Sequence, residues 1–151
     1  MDVFIKKNRF HVYLFLLAFL IRLVYVLFFS QGRLSPDAYD WMETGWQIAR
    51  GLGFGGSWRP PGYAFFLGGL FFVFGKSVTA VFLAQAGLGA GACVLAAKTA
   101  ERLFNEATGR ITGALTAFYP YFIAYTADLL SETLLTFMLA ASVFYLVKTS
   151  R

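Results

Sequence analysis

The chain has 151 residues, of which 58% are hydrophobic, 19% aromatic and 14% charged, with a formal net charge of +5. A soluble domain carries about 25% charged residues, so this composition leaves too little polar surface to cover a globule in water, and lipid is the natural solvent. The positive balance does not describe a nucleic-acid binder: Lys and Arg stand between apolar runs, where they orient a membrane chain.

The N-terminus places Lys6, Lys7 and Arg9 before an apolar run, as a secretory signal does. That run is too long for a signal, contains Arg22 and lacks a small-x-small cleavage site before Gln31, so it reads as an uncleaved anchor. Residues 10–29 make a helix of about 30 Å, which matches the hydrocarbon core. His11 is a boundary residue at its start. Arg22 lies within the span, where a charge costs several kcal/mol unless it faces protein or water. It either snorkels and pairs with another helix or forms the wall of a pocket.

Further spans are expected at 77–97, 111–127 and 129–147, and a shorter run at 62–75 reaches only about 21 Å. Charge decides how that short run is treated. If it does not cross, Lys6, Lys7, Arg9, Lys98, Arg102, Arg110, Lys148 and Arg151 share one side, against Arg33, Arg50, Arg59 and Lys76 on the other. The positive-inside rule favours this arrangement. The expected fold is therefore an all-α polytopic bundle, a single membrane domain over 1–151. It has four spans, both termini inside, and an outer loop, 31–76, with interfacial helices. Cys93 is the only cysteine and sits in an apolar run, so it supports neither a disulfide nor a cysteine-based zinc site.

The outer loop holds the richest chemistry. Ser35 caps a helix whose first turn carries Pro36, and Gly51 stops it after Arg50. Tyr39, Met42, Trp46 and Ala49 recur at helical spacing as an apolar stripe, and Asp37, Asp40 and Glu43 as an acidic one. Such a helix lies in the interface with its carboxylates toward water. Acidic residues in a first turn also simply complement the helix dipole. Gly51-Leu52-Gly53-Phe54-Gly55-Gly56 fits GxGxxG by letter, but no strand precedes it, so it reads as a tight reversal. Arg59 then stands before Pro60-Pro61, beside the free amides of the next helix, which suits a phosphate. Asp128, Ser131 and Glu132 form a second acidic junction on the same side, with Ser131 placed to cap the last helix. Gly87, Gly89 and Gly91, with Ala84, Ala86 and Ala90, suit close helix approach in lipid. Pro120 kinks or ends the third span, near an aromatic belt of Tyr119, Tyr121 and Tyr125.

In order along the chain, the Arg22-bearing span, Ser35-Pro36-Asp37, Gly51-x-Gly53-Phe54 and Arg59-Pro60-Pro61-Gly62-Tyr63 resemble the start of GT-C polytopic glycosyltransferases. The basic stretch Ala97-Lys98-Thr99-Ala100-Glu101-Arg102-Leu103-Phe104, then Pro120, Tyr125 and Leu130-Ser131-Glu132, continue the resemblance. It is similar to dolichyl-phosphate-mannose protein mannosyltransferase-like bacterial enzymes, including lipopolysaccharide sugar transferases, and matches their amino-terminal part. Relatives often carry an acidic residue where Trp58 stands. The resemblance implies an inverting transfer of a sugar from a polyprenyl-phosphate donor to an acceptor hydroxyl outside the cytoplasm, in a bacterial inner membrane with cytoplasmic termini. The acceptor is a glycan, lipid or protein, and membrane lipids are further partners. By the same resemblance Asp37 is the catalytic base and Arg59 the donor-phosphate ligand. Asp40, Asp128 and Glu132 are supporting acids or ligands of a divalent cation. A second class stands beside this one, supported by the chain's length: a non-catalytic small membrane protein, whether partner subunit, lipid-binding module or truncated remnant. A transporter fragment requires polar residues within spans, for which only Arg22 and Gln85 are candidates.

Overall fold

The computed structural model describes residues 9–29, 34–55 and 59–150. Lys6, Lys7, Arg33, Gly56, Trp58 and Arg151 lie outside the described residues. Among the described residues all regular structure is helical: α1 (Arg9–Phe28), α2 (Pro36–Ala49), α3 (Pro61–Phe74), α4 (Val78–Leu103), α5 (Glu106–Phe118), α6 (Pro120–Ala124), a 3-10 turn (Tyr125–Ala127) and α7 (Glu132–Thr149). The chain is a helical membrane protein in which α1, α4 and α7 are long and apolar enough to cross a bilayer.

These three helices coincide with the spans expected at 10–29, 77–97 and 129–147. The span expected at 111–127 is not one helix. The Asn105 side chain accepts from the Thr108 amide at 2.9 Å and starts α5 early, at Glu106. α5 then ends at Phe118, because Tyr119 precedes proline and takes an extended conformation, φ −67° and ψ 118°. Pro120 opens the short α6, and a 3-10 turn carries the chain on. The connection expected at 98–110 is also shorter in the structure. α4 continues through Lys98 and Arg102 to Leu103, leaving Phe104 and Asn105 between it and α5. Its 26 residues rise about 39 Å, more than the hydrocarbon core of about 30 Å, so α4 tilts or projects beyond it.

α4 is the hub, packed against α1, α5 and α7. In lipid this packing draws on close contact of small residues and not on the hydrophobic effect. A Cβ built on Gly109 or Gly113 of α5 would lie 2.8 Å from the Ala97 carbonyl or 2.6 Å from Leu14. Gly91 receives the Phe137 ring and Gly89 the Arg22 side chain, whereas Gly87 faces open space. Three contacts gather one end of the bundle: His11 Nε2 lies 3.1 Å from Glu101 Oε2, Arg110 lies over Phe10, and Arg102 over Phe144. The opposite end carries α2, α3 and the turn before α7.

α2 and α3 pack together closely. Ser35 caps α2, its Oγ accepting from the Ala38 amide at 3.3 Å, and Gly51 ends it with φ 73°. Gly53 and Gly55 also take positive φ, which gives the expected reversal. The apolar stripe is rotated from the expected one. Ala38, Trp41, Thr44 and Gly45 are buried, while Tyr39 is 56% exposed; Met42, Trp46 and Ala49 pack only at the margin of the core. Close backbone approach explains the rotation: a Cβ on Gly45 would lie 2.7 Å from Leu67 Cβ, and one on Gly68 2.6 Å from Ile48 Cγ2. The pair then closes on Val81 and Phe82 of α4 and on Leu129.

Gly68→Val is expected to lower stability by about 1–3 kcal/mol through overpacking against Ile48, read as a lower melting temperature in detergent. Gly69→Ala, at a position with nothing within 4 Å, is expected to leave the melting temperature unchanged or raise it slightly. Cysteines introduced at Tyr39 and Tyr121, both exposed, should react with an impermeant maleimide from one side of the membrane, and one at Thr108 from the other.

Candidate functional site

Pro36 and Asp37 occupy the first turn of α2, where an anion is favoured by the free amides. Asp40 follows one turn on, so both carboxylates project from the same exposed face, 61% and 64% exposed. Arg59 arrives from the segment leading into α3. Its Nη2 donates to Asp37 Oδ1 at 2.7 Å and to Asp40 Oδ2 at 3.2 Å. The guanidinium carbon lies 5.1 Å from the centroid of the Trp41 ring, and the side chain is only 9% exposed. The indole thus covers one face of the cation while two carboxylates engage its edge. The Asp37 hydrogen bond, outweighing partial burial, pushes the already high Arg59 pKa up. Nearby, Glu43 Oε2 accepts from Lys76 at 3.0 Å, which holds the Glu43 carboxyl below its usual range and ties α2 to the start of α4.

Beneath this surface lies a buried polar network. The Tyr63 hydroxyl donates to Gln85 Oε1 at 2.7 Å, and Gln85 Nε2 donates to the carbonyls of Thr126 at 3.1 Å and Asp128 at 2.7 Å. Gln85 is 0% exposed. Burial, then the nearby carboxylates of Asp128 and Glu132, push the Tyr63 phenol far above its ordinary range, so it remains a donor. The ring of Tyr63 meets that of Trp41 edge-on at 5.1 Å.

The five candidate residues separate into three settings. Asp37, Asp40 and Arg59 form one cluster. The Asp128 carboxylate accepts from the Ser35 amide at 3.2 and 3.3 Å and from the Leu129 amide at 2.9 Å, so it braces the start of α2. Glu132 stands in the first turn of α7, and its Oε2 is buried without a hydrogen-bond partner. Ser131 occupies the cap position of α7 but makes no side-chain cap hydrogen bond, contrary to expectation, because its backbone is already helical. Trp41 was not singled out from the sequence, and Gln85 and Tyr63 were noted there without a role in this site. For Gln85 the signal was present: an amide in an apolar span is costly unless it is bonded.

Among the described residues no three His, Cys, Asp or Glu side chains are grouped to hold a metal ion. The two outward carboxylates are bridged by a guanidinium, which a divalent cation would have to displace.

A cavity of about 580 Å³ opens between α4, α5 and α7, with Arg22 of α1 in its wall. Arg22 is 1% exposed; it donates from Nη1 to the Ala18 carbonyl at 3.0 Å and from Nη2 to Cys93 Sγ at 3.5 Å. Arg22 therefore both pairs with another helix, through Cys93 of α4, and forms part of the cavity wall.

A family model described as dolichyl-phosphate-mannose-protein mannosyltransferase matches residues 58–151. The matched region contains Arg59, Asp128 and Glu132, and Asp37 and Asp40 precede it. No curated protein and no solved structure matches the chain.

Replacing Gln85 by Leu strands the Tyr63 hydroxyl and two carbonyls, and each buried group left unpaired costs about 1–3 kcal/mol. Tyr63→Phe should destabilise the parent chain by a similar amount and the Gln85→Leu chain by almost nothing. A double-mutant cycle on detergent unfolding measures that coupling.

Proposed function

Because this chain belongs to the dolichyl-phosphate-mannose-protein mannosyltransferase family, a family of membrane glycosyltransferases, we propose that the Asp37–Arg59 cluster transfers a sugar from a polyprenyl-phosphate donor to an acceptor hydroxyl. Arg9, Lys98, Arg102, Arg110 and Lys148 lie toward the opposite end of the bundle from α2 and α3. By the positive-inside rule that end faces the cytoplasm, and the transfer takes place on the outer side.

The observation that carries this reading is the single Arg59 nitrogen shared by Asp37 at 2.7 Å and Asp40 at 3.2 Å, beside the start of α3. A donor phosphate reaching Arg59 competes with Asp37 for the guanidinium. Once the phosphate is the partner, the Asp37 carboxylate is released to act as a base. It takes the proton of the acceptor hydroxyl as that oxygen bonds to the anomeric carbon. The bond from that carbon to the phosphate oxygen breaks, and the phosphate leaves with the electron pair, stabilised by Arg59 and the amides of Gly62 and Tyr63. Attack opposite the leaving group inverts the anomeric centre. Asp40 keeps Arg59 oriented while Asp37 works. Asp128 supports the site by bracing Ser35 and thus the helix that bears Asp37. No step passes through a divalent cation.

Asp37→Asn should reduce transfer from a polyprenyl-phosphate sugar by about 10²–10⁴-fold while insertion and melting temperature are retained. Asp40→Asn should mainly raise the KM for the donor. Full activity in the Asp37→Asn protein would reject the assignment.

A further inference from the structure

The cavity beside Arg22 belongs to neither the interfacial cluster nor the Gln85 network. α5 and α7 each pack on α4 but scarcely meet, so a slot opens between them toward the bilayer. Its floor runs along α4 from Gly89 to Leu103, about 21 Å of helix rise, and is lined there mainly by small residues. That length exceeds one leaflet of a hydrocarbon core about 30 Å thick, enough for one extended lipid chain.

Polar groups without partners collect near the α2–α3 end of the slot. Among the described residues, Arg22 is 1% exposed, meets only the neutral acceptors Ala18 O and Cys93 Sγ, and leaves its buried Nε–H unpaired. Thr133 is 5% exposed with an unpaired hydroxyl, and Glu132 Oε2 is buried and unpaired. All three residues line the cavity. A buried cation with neutral partners calls for an anion, and an orphaned carboxyl oxygen calls for a donor. One ligand must supply both, together with a hydrocarbon chain.

We propose that the slot binds a glycerophospholipid with an anionic, hydroxyl-bearing headgroup. One of its chains lies along α4, its phosphate faces Arg22 and accepts from the Thr133 hydroxyl, and a headgroup hydroxyl donates to Glu132. The lipid enters laterally between α5 and α7. This site does not depend on the transfer chemistry, since none of its residues contacts the Asp37–Arg59 pair through the groups invoked.

The test uses the full chain in phosphatidylcholine nanodiscs containing trace phosphatidylglycerol with a diazirine in one chain. A matched phosphatidylcholine probe serves as the reference. Irradiation should label peptides of α4 and α7 around the cavity, with the phosphatidylglycerol probe preferred. Ala140→Trp, which fills the slot, should reduce that labelling about tenfold, a loss of about 1.4 kcal/mol of binding. Arg22→Gln should bring phosphatidylglycerol labelling down to the phosphatidylcholine level. Thr133→Val, which removes an already unpaired hydroxyl, tests the same preference in a protein that folds even where Arg22→Gln does not. Asp37→Asn should label as the parent does, which separates this site from the transfer reaction. Unchanged labelling in Ala140→Trp, or an undiminished headgroup preference in both polar variants, overturns the proposal. Displacement of the label by unlabelled polyprenyl phosphate also overturns it, because the slot would then belong to the donor.

Discussion

The organisation of the α2–α3 end depends on one buried amide. Gln85 sits on the helix at the centre of the bundle, where an unsatisfied amide costs several kcal/mol. It avoids that cost by spending its oxygen on Tyr63 and its nitrogen on the Thr126 and Asp128 carbonyls. Those bonds fix α3 and the turn before α7 to the same point on α4. Asp128, held there by its carbonyl, uses its carboxylate to receive the Ser35 amide. Ser35 in turn caps the helix that carries Asp37 and Asp40. A chain of hydrogen bonds thus runs from the interior of the membrane domain to the exposed acidic face. The position of the two carboxylates is set by the core and not by the loop that displays them.

The second constraint is the environment of Arg59. A guanidinium is planar, weakly hydrated and able to hold two partners at once. Here its face lies against Trp41 and its edge on two carboxylates, so it is largely covered while both acids remain open to water. A lysine ammonium, compact and strongly hydrated, would satisfy neither requirement as well. The acids are therefore accessible to a substrate, and the cation is held in place before one arrives. The edge-on contact between Trp41 and Tyr63 connects this arrangement to the Gln85 network.

What could be read from the sequence was the part set by local chemistry. Ser35-Pro36 as a helix start, Gly51 as a stop and Pro120 as a break each act through their own backbone, and the structure has all three. Three long apolar helices also follow directly from composition. The failures arise where a neighbour decides. The apolar face of α2 was assigned by helical spacing to Tyr39, Met42, Trp46 and Ala49, but the contact that α3 needs is backbone-close, and Gly45 with Gly68 sets it. The end of α4 was placed at its charges, yet Lys98 and Arg102 remain helical. Ser131 has the right residue type for a cap but a helical backbone that prevents it. Asp128 and Glu132 are close in sequence and similar in chemistry, but one braces a helix start and the other faces a cavity. Only the folded chain separates them.

The two polar regions also share one line on α4. Gln85, Gly89 and Cys93 recur every fourth residue, so they fall on nearly the same face at successive turns of about 5.4 Å. Gln85 serves the α2–α3 end, and Gly89 makes room for Arg22, whose Nε would lie 2.5 Å from a Cβ there. α4 is half buried along its length and acts as the fixed reference, whereas only 6% of the apolar stretch of α7 is buried. α7 holds its place through one face, the one it lays against α4. Because Leu129 and Asp128 lead directly into α7, the Gln85 bonds that hold the turn bracing Ser35 also anchor the start of that helix. α4 is thus the common wall of both regions, with Gln85 serving the end that bears Asp37 and Gly89 with Cys93 facing Arg22.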